Sequence, residues 1–99
     1  MKLGSHVSIA ERVDKAVDRA YALGCNVFQI FTRSPRMLKY RELRDEEVSA
    51  FKHKRKDAEI DPVFSHMPYL PNLSSSNLPA YDKSVDTLRL ELTRCNQLD

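Results

Sequence analysis

Asn26-Val27-Phe28-Gln29-Ile30-Phe31-Thr32 is the stretch on which the fold turns. Its apolar and β-branched residues fall on both faces of an extended chain, the pattern of a buried strand in a parallel sheet. Such a strand needs helices beside it, and the flanking sequence has helical periodicity. Upstream, Ser8-Ile9-Ala10-Glu11 reads as a capping box that opens the first helix. Ile9, Val13, Ala16, Val17, Ala20 and Tyr21 keep its apolar spacing, and Gly24 supplies a left-handed stop. Residues 2–8 form a brief, polar first strand. Downstream, Asp45 opens a second helix with Glu46 and Glu47 in its positive first turn, and Val48, Phe51 and Ala58 as its main apolar positions. Asp61-Pro62-Val63-Phe64-Ser65-His66-Met67 is the third strand, its proline at the start where a missing N–H is tolerated. A third helix spans 78–98, with Tyr81, Val85, Leu88, Leu92 and Cys95 as the predicted buried stripe.

The resulting order is βαβαβα, an α/β fold with a three-stranded parallel sheet and helices on one face. Two long connections, 33–44 and 68–77, follow the carboxyl ends of strands two and three, the side where α/β folds place their chemistry. Ninety-nine residues are expected to form one domain over 1–99, and they exclude a complete (β/α)8 barrel of about 250 residues.

Composition narrows the function classes. Sixteen basic against fourteen acidic residues give a net charge of +2, an ordinary surface that argues for neither nucleic acid nor membrane. Cys25 and Cys95 lie far apart and outside any C-x-x-C pair, so a zinc ribbon or redox site is absent and both read as small buried hydrophobes. Two glycines are too few for a phosphate cradle, and no P-loop, G-x-G-x-x-G or G-x-S-x-G motif occurs. Residues 1–6 carry no apolar targeting core, and no apolar run reaches the ~20 residues of a membrane span. The expectation is a soluble, cytoplasmic chain.

Few residues are placed to carry chemistry. His66 ends a strand before a long loop, where an imidazole can face a pocket or simply bond to backbone. His6 ends the first strand and can approach it on the same rim, but no third ligand stands at zinc-site spacing. Tyr69 and Leu70, on the proline-stiffened Pro68-Tyr69-Leu70-Pro71, can wedge into a DNA stack or anchor the loop by packing. Arg33, Arg36 and Lys39 offer cations for phosphates. The basic run 52–56 spreads around its helix and reads as a solvated face.

Together these segments resemble the endonuclease IV family. The resemblance is carried by His6-Val7-Ser8-Ile9-Ala10, by Phe31-Thr32-Arg33-Ser34-Pro35-Arg36 and by Ser65-His66-Met67-Pro68-Tyr69-Leu70-Pro71-Asn72-Leu73. Lys83-Ser84-Val85 and Arg94-Cys95-Asn96-Gln97-Leu98 extend it through the third helix. It covers the whole chain but only the amino-terminal third or so of the family's length. It implies a partial TIM barrel from an enzyme that uses three zinc ions to cleave DNA 5′ to an abasic site. It further implies that His66 matches the first zinc ligand, that Tyr69 and Leu70 match the wedging loop, and that Arg36 matches a loop arginine entering the damaged duplex. The remaining ligands lie on later strands, so no cofactor is expected in this chain and zinc belongs to the parent family.

Where the family has Gly-Gly, this chain has Glu11-Arg12, a carboxylate that would repel phosphate while completing the helix cap. Met37-Leu38 replace a glycine and an aromatic, and Glu59 and Asp99 stand where glycine is common at helix ends. These changes read as those of a non-catalytic fragment, engineered or merely truncated, altered for stability or assembly. Its expected partner is itself, most simply a dimer, because Phe28, Ile30, Phe64 or their neighbours would meet water on the uncovered face. DNA is then only a vestige of the parent family. The alternatives are the amino-terminal part of a working endonuclease, a DNA-binding module using Arg36, Lys39, Tyr69 and Leu70, and an oligomer bridged by zinc between His6 and His66 of different chains.

Overall fold

The computed structural model describes residues 1–36 and 41–99. Met37, Leu38 and Lys39, singled out from the sequence, lie outside the described residues. The elements alternate as expected: β1 (Gly4–His6), α1 (Lys15–Ala22), β2 (Val27–Ile30), α2 (Asp45–Asp57), β3 (Val63–Ser65) and α3 (Leu78–Leu98). The sheet is parallel in the order β1-β2-β3, with Gly4 opposite Val27 and Phe28 opposite Val63. The first pair approaches closely. A Cβ on Gly4 would lie 2.0 Å from the Val27 carbonyl oxygen, so only glycine fits there.

Alternation along β2 sets the two faces of the sheet. Phe28 and Ile30 point into the core beneath the helices and are each 1 % exposed. Val13, Val17, Ala20, Phe51 and Ile60 close around them, and the Phe28 and Phe51 rings meet edge to face with centroids 6.1 Å apart. The residues in between point the other way. By register, Gly4 and His6, Val27 and Gln29, and Phe64 share the opposite face, which no element covers among the described residues. The expectation of an apolar face meeting water therefore holds for Phe64, 54 % exposed, and fails for Phe28 and Ile30. Those two belong to the helix side.

Three local expectations are corrected. The first helix begins at Lys15 instead of beside Ser8. Ser8 Oγ does accept an amide, that of Ala10 at 3.0 Å, but this closes a turn, and Glu11 then adopts φ +76°. A residue in the left-handed region cannot open a right-handed helix, so Glu11 completes no cap. Tyr21, read as part of the buried stripe, is exposed. On α3 the buried face is Ser84, Glu91, Arg94 and Leu98, whereas Tyr81 and Leu92 are exposed and Val85, Leu88 and Cys95 half-buried. The helix turns a polar stripe inward because the strand ends beneath it present polar partners. Cys25 and Cys95 are free and only half-buried. Within the basic run, Lys54 and Arg55 are also half-buried and ion-paired, so it is not one solvated face.

Gly24 acts as expected at the end of α1. It takes φ +75°, its amide bonds to Tyr21 O at 2.9 Å, and the Cys25 amide bonds to Ala20 O at 2.9 Å. At the other end of the molecule, Asn77 caps α3 by accepting from the Ala80 amide at 3.0 Å.

Candidate functional site

The carboxyl ends of the strands bring four rings together. Phe31 follows β2 directly, and alternation turns it to the open face with Gln29. Its ring lies 4.6 Å from His6, 5.0 Å from His66 and 5.4 Å from Tyr69, centroid to centroid. His6 and His66 are 6.1 Å apart, and His66 and Tyr69 likewise. His6, His66 and Tyr69 were legible as candidates; Phe31, at their centre, was read only as the end of a strand. The same two-residue alternation that buries Ile30 identifies it.

Both histidines are held by one ring nitrogen. His66 Nδ1 lies 2.6 Å from the Met67 carbonyl oxygen, which can only accept, so Nδ1 carries the proton. In a neutral ring so bonded, the lone pair is on Nε2, the arrangement by which proteins orient a metal-ligating imidazole. His6 Nδ1 faces Gln29 Oε1 at 3.3 Å in the same sense. Of the two readings of His66, the structure shows the bond to backbone. No group of three or more His, Cys, Asp or Glu able to hold a metal ion occurs among the described residues.

Behind the rings lies a buried polar network. Thr32 Oγ1 donates to Glu91 Oε2 at 2.7 Å and accepts from Arg94 Nε at 3.1 Å. Arg33 Nε donates to Glu91 Oε1 at 3.3 Å, and Ser65 Oγ, next to His66, lies 3.5 Å from Glu91 Oε2. Arg41 grips Glu47 through two bonds of 2.7 and 3.0 Å, and that buried carboxylate raises the Arg41 pKa above its ordinary value. Arg33 is therefore engaged by Glu91, while Arg36, Tyr69 and Leu70 stand exposed on the rim. Leu70 lines a groove with Pro35, Pro68, Pro71 and Leu90. Glu91 and Arg94 escaped the sequence reading because an apolar stripe was sought on α3. Their common helical face with Ser84 and Leu98 is the signal that finds them.

No protein-family model matches the chain. Individual proteins do. The probable endonuclease 4 of Cenarchaeum symbiosum is 47 % identical over 100 residues, covering 99 % of this chain and 36 % of that protein. The probable endonuclease 4 of Methanosphaerula palustris is 44 % identical over 99 residues, covering 100 % of this chain and 35 % of that protein. The crystal structure of endonuclease IV from Thermus thermophilus superposes with a TM-score of 0.93 at 38 % identity, over 99 % of this chain and 37 % of that one.

The chain is endonuclease IV-like along its whole length.

It spans about a third of the length of the curated endonuclease 4 relatives it matches. The three βα units thus match a partial region of the endonuclease IV TIM-barrel structure. The uncovered face is the one that a closed barrel turns to its interior. The ring cluster stands at the carboxyl ends of the strands, where barrel enzymes build their sites. Among the described residues, no helix is long and apolar enough to cross a membrane.

Proposed function

We propose that this chain is the amino-terminal, DNA-facing part of a zinc-dependent endonuclease acting at abasic sites, and that it does not cleave DNA by itself. The observation that carries this reading is the placing of His66 on the strand-end rim, with Nδ1 bonded to the Met67 carbonyl, in a fold that superposes on endonuclease IV at a TM-score of 0.93. His66 would hold zinc through Nε2, and zinc would polarise the phosphodiester and activate water when bound. The chain's own contribution is to orient that imidazole through the Met67 carbonyl and to present Arg36, Tyr69 and Leu70 to the duplex. Among residues 1–99, His66 alone matches a family ligand, with His6 at most an auxiliary, so a complete metal centre draws on further strands.

Mixing this chain with the remaining strands of an endonuclease IV barrel, zinc and an abasic duplex tests the reading. Cleavage 5′ to the abasic site is expected only when both parts are present, and His66→Ala is expected to abolish it. Cleavage by this chain alone, or full activity with His66→Ala, would sink it.

A second reading, self-association into a homodimer, is supported by Phe64 on the open sheet face and by the exposed Tyr81 and Leu92 of α3. A monodisperse monomer in sedimentation equilibrium at micromolar concentration defeats it.

A further inference from the structure

A helix packed on a sheet ordinarily turns apolar side chains inward, yet α3 buries a carboxylate and a guanidinium. Such groups survive burial only when fully paired, so their partners show what they hold. Arg94 is 6 % exposed, and its planar fork reaches two neighbours among the described residues, Thr32 and Arg41. Nε donates to Thr32 Oγ1, one terminal nitrogen to the Thr32 carbonyl, and the other to the Arg41 carbonyl at 3.0 Å. Thr32 and Arg41 flank positions 33–40, so one side chain bridges both ends of that segment. Glu91, one helical turn earlier, accepts from Thr32 and Arg33 and fixes the same Thr32 end.

We propose that Arg94 is a positioning residue that closes Thr32 against Arg41 and holds Arg33–Arg36 at the strand-end rim. The consequence for DNA rests on the function proposed above; the closure itself does not. Lysine keeps the charge and the stem of Arg94 but has no fork, so it cannot bond Thr32 and Arg41 together.

Backbone ¹⁵N relaxation on the 99-residue chain tests the closure. In the wild type, Arg33–Arg36 should show order parameters near those of α1, about 0.85, and in Arg94→Lys they should fall below about 0.6 while α1 is unchanged. Low order parameters in the wild type, no fall in the variant, or an equal fall in α1 would each overturn it. The wild-type measurement decides even where the variant fails to fold. For the link to Arg36, binding to an abasic duplex is compared in Arg36→Ala, Arg94→Lys and the double variant. The double variant should bind no more weakly than Arg36→Ala, whereas losses that multiply overturn the link. A wild type with no salt-sensitive binding defeats the DNA reading, and the order parameters still decide the closure.

Discussion

Gly24 and Glu59 do the same work at the ends of α1 and α2 with unequal means. After Glu59, as after Gly24, the chain leaves the helix through a left-handed residue. The Glu59 amide bonds to Lys56 O at 3.2 Å and the Ile60 amide to Arg55 O at 3.1 Å. Glu59 does this at φ +54° and Glu11 adopts φ +76°, a region costly for any residue with a Cβ. These positions, with Asp99 at φ +61°, are three of those where glycine was expected from the resemblance, and the backbone gives the physical reason. The Glu11–Arg19 pair, at 3.7 Å and largely exposed, offsets little of the strain. Glu59→Gly should therefore raise stability by about 1 kcal/mol in urea unfolding, and Glu59→Ala should not. An unchanged or lower urea midpoint for the glycine variant would rule out strain at this residue.

At the scale of elements, an ion cluster joins α1 to α2. Lys54 Nζ bonds Asp14 at 2.8 Å and Asp18 at 2.6 Å, and Arg12 Nε bonds Asp14 at 2.8 Å. Burial alone would push the Asp14 carboxyl up, but the hydrogen bonds from Lys54 and Arg12 outweigh it and hold the pKa below the usual 3.8. The same bonds raise Lys54 above 10.5. A depressed carboxylate stabilises the fold above its unfolded pKa and loses that contribution as pH falls through the folded value; the lysine loses its own as pH rises through its folded value. Between these limits the cluster adds no slope. Stability should thus drop below about pH 4, and Asp14→Asn should lose less than the wild type between neutral pH and about pH 3, read from urea midpoints at each pH. Equal losses in both proteins would show that Asp14 does not drive the acid limb. Element order was legible here because strand-like runs alternate with long helical patterns and Gly24 marks the end of the first. The start of α1 was not, since Ser8 and Glu11 have capping-box spacing while the backbone between them turns left-handed.

For the whole molecule, the decisive feature is the sheet face opposite the helices. Phe64 stands there beside Gln29, its register partner, with Val27 and Gly4 on the same face. In the self-association reading this face is what a second copy covers. Phe64→Lys should then shift sedimentation toward monomer and leave the monomer's unfolding free energy in urea within about 0.5 kcal/mol of wild type, because an exposed side chain contributes little to its own fold. Unchanged sedimentation would assign any assembly to another surface. The sequence by itself determined the six elements, their order and the parallel sheet, since period and punctuation are local properties of the chain. It also marked His6 at the end of the first strand, His66 just after the third, and Tyr69 and Leu70 on the loop that follows. Only the tertiary structure decided which face Phe28 and Phe64 take, that Phe31 is the hub of the rings, and that α3 turns Glu91 and Arg94 inward. Those outcomes depend on which polar partners distant segments bring to one place, and Thr32 is separated from Arg94 by 62 positions. Local periodicity carries no record of such a meeting.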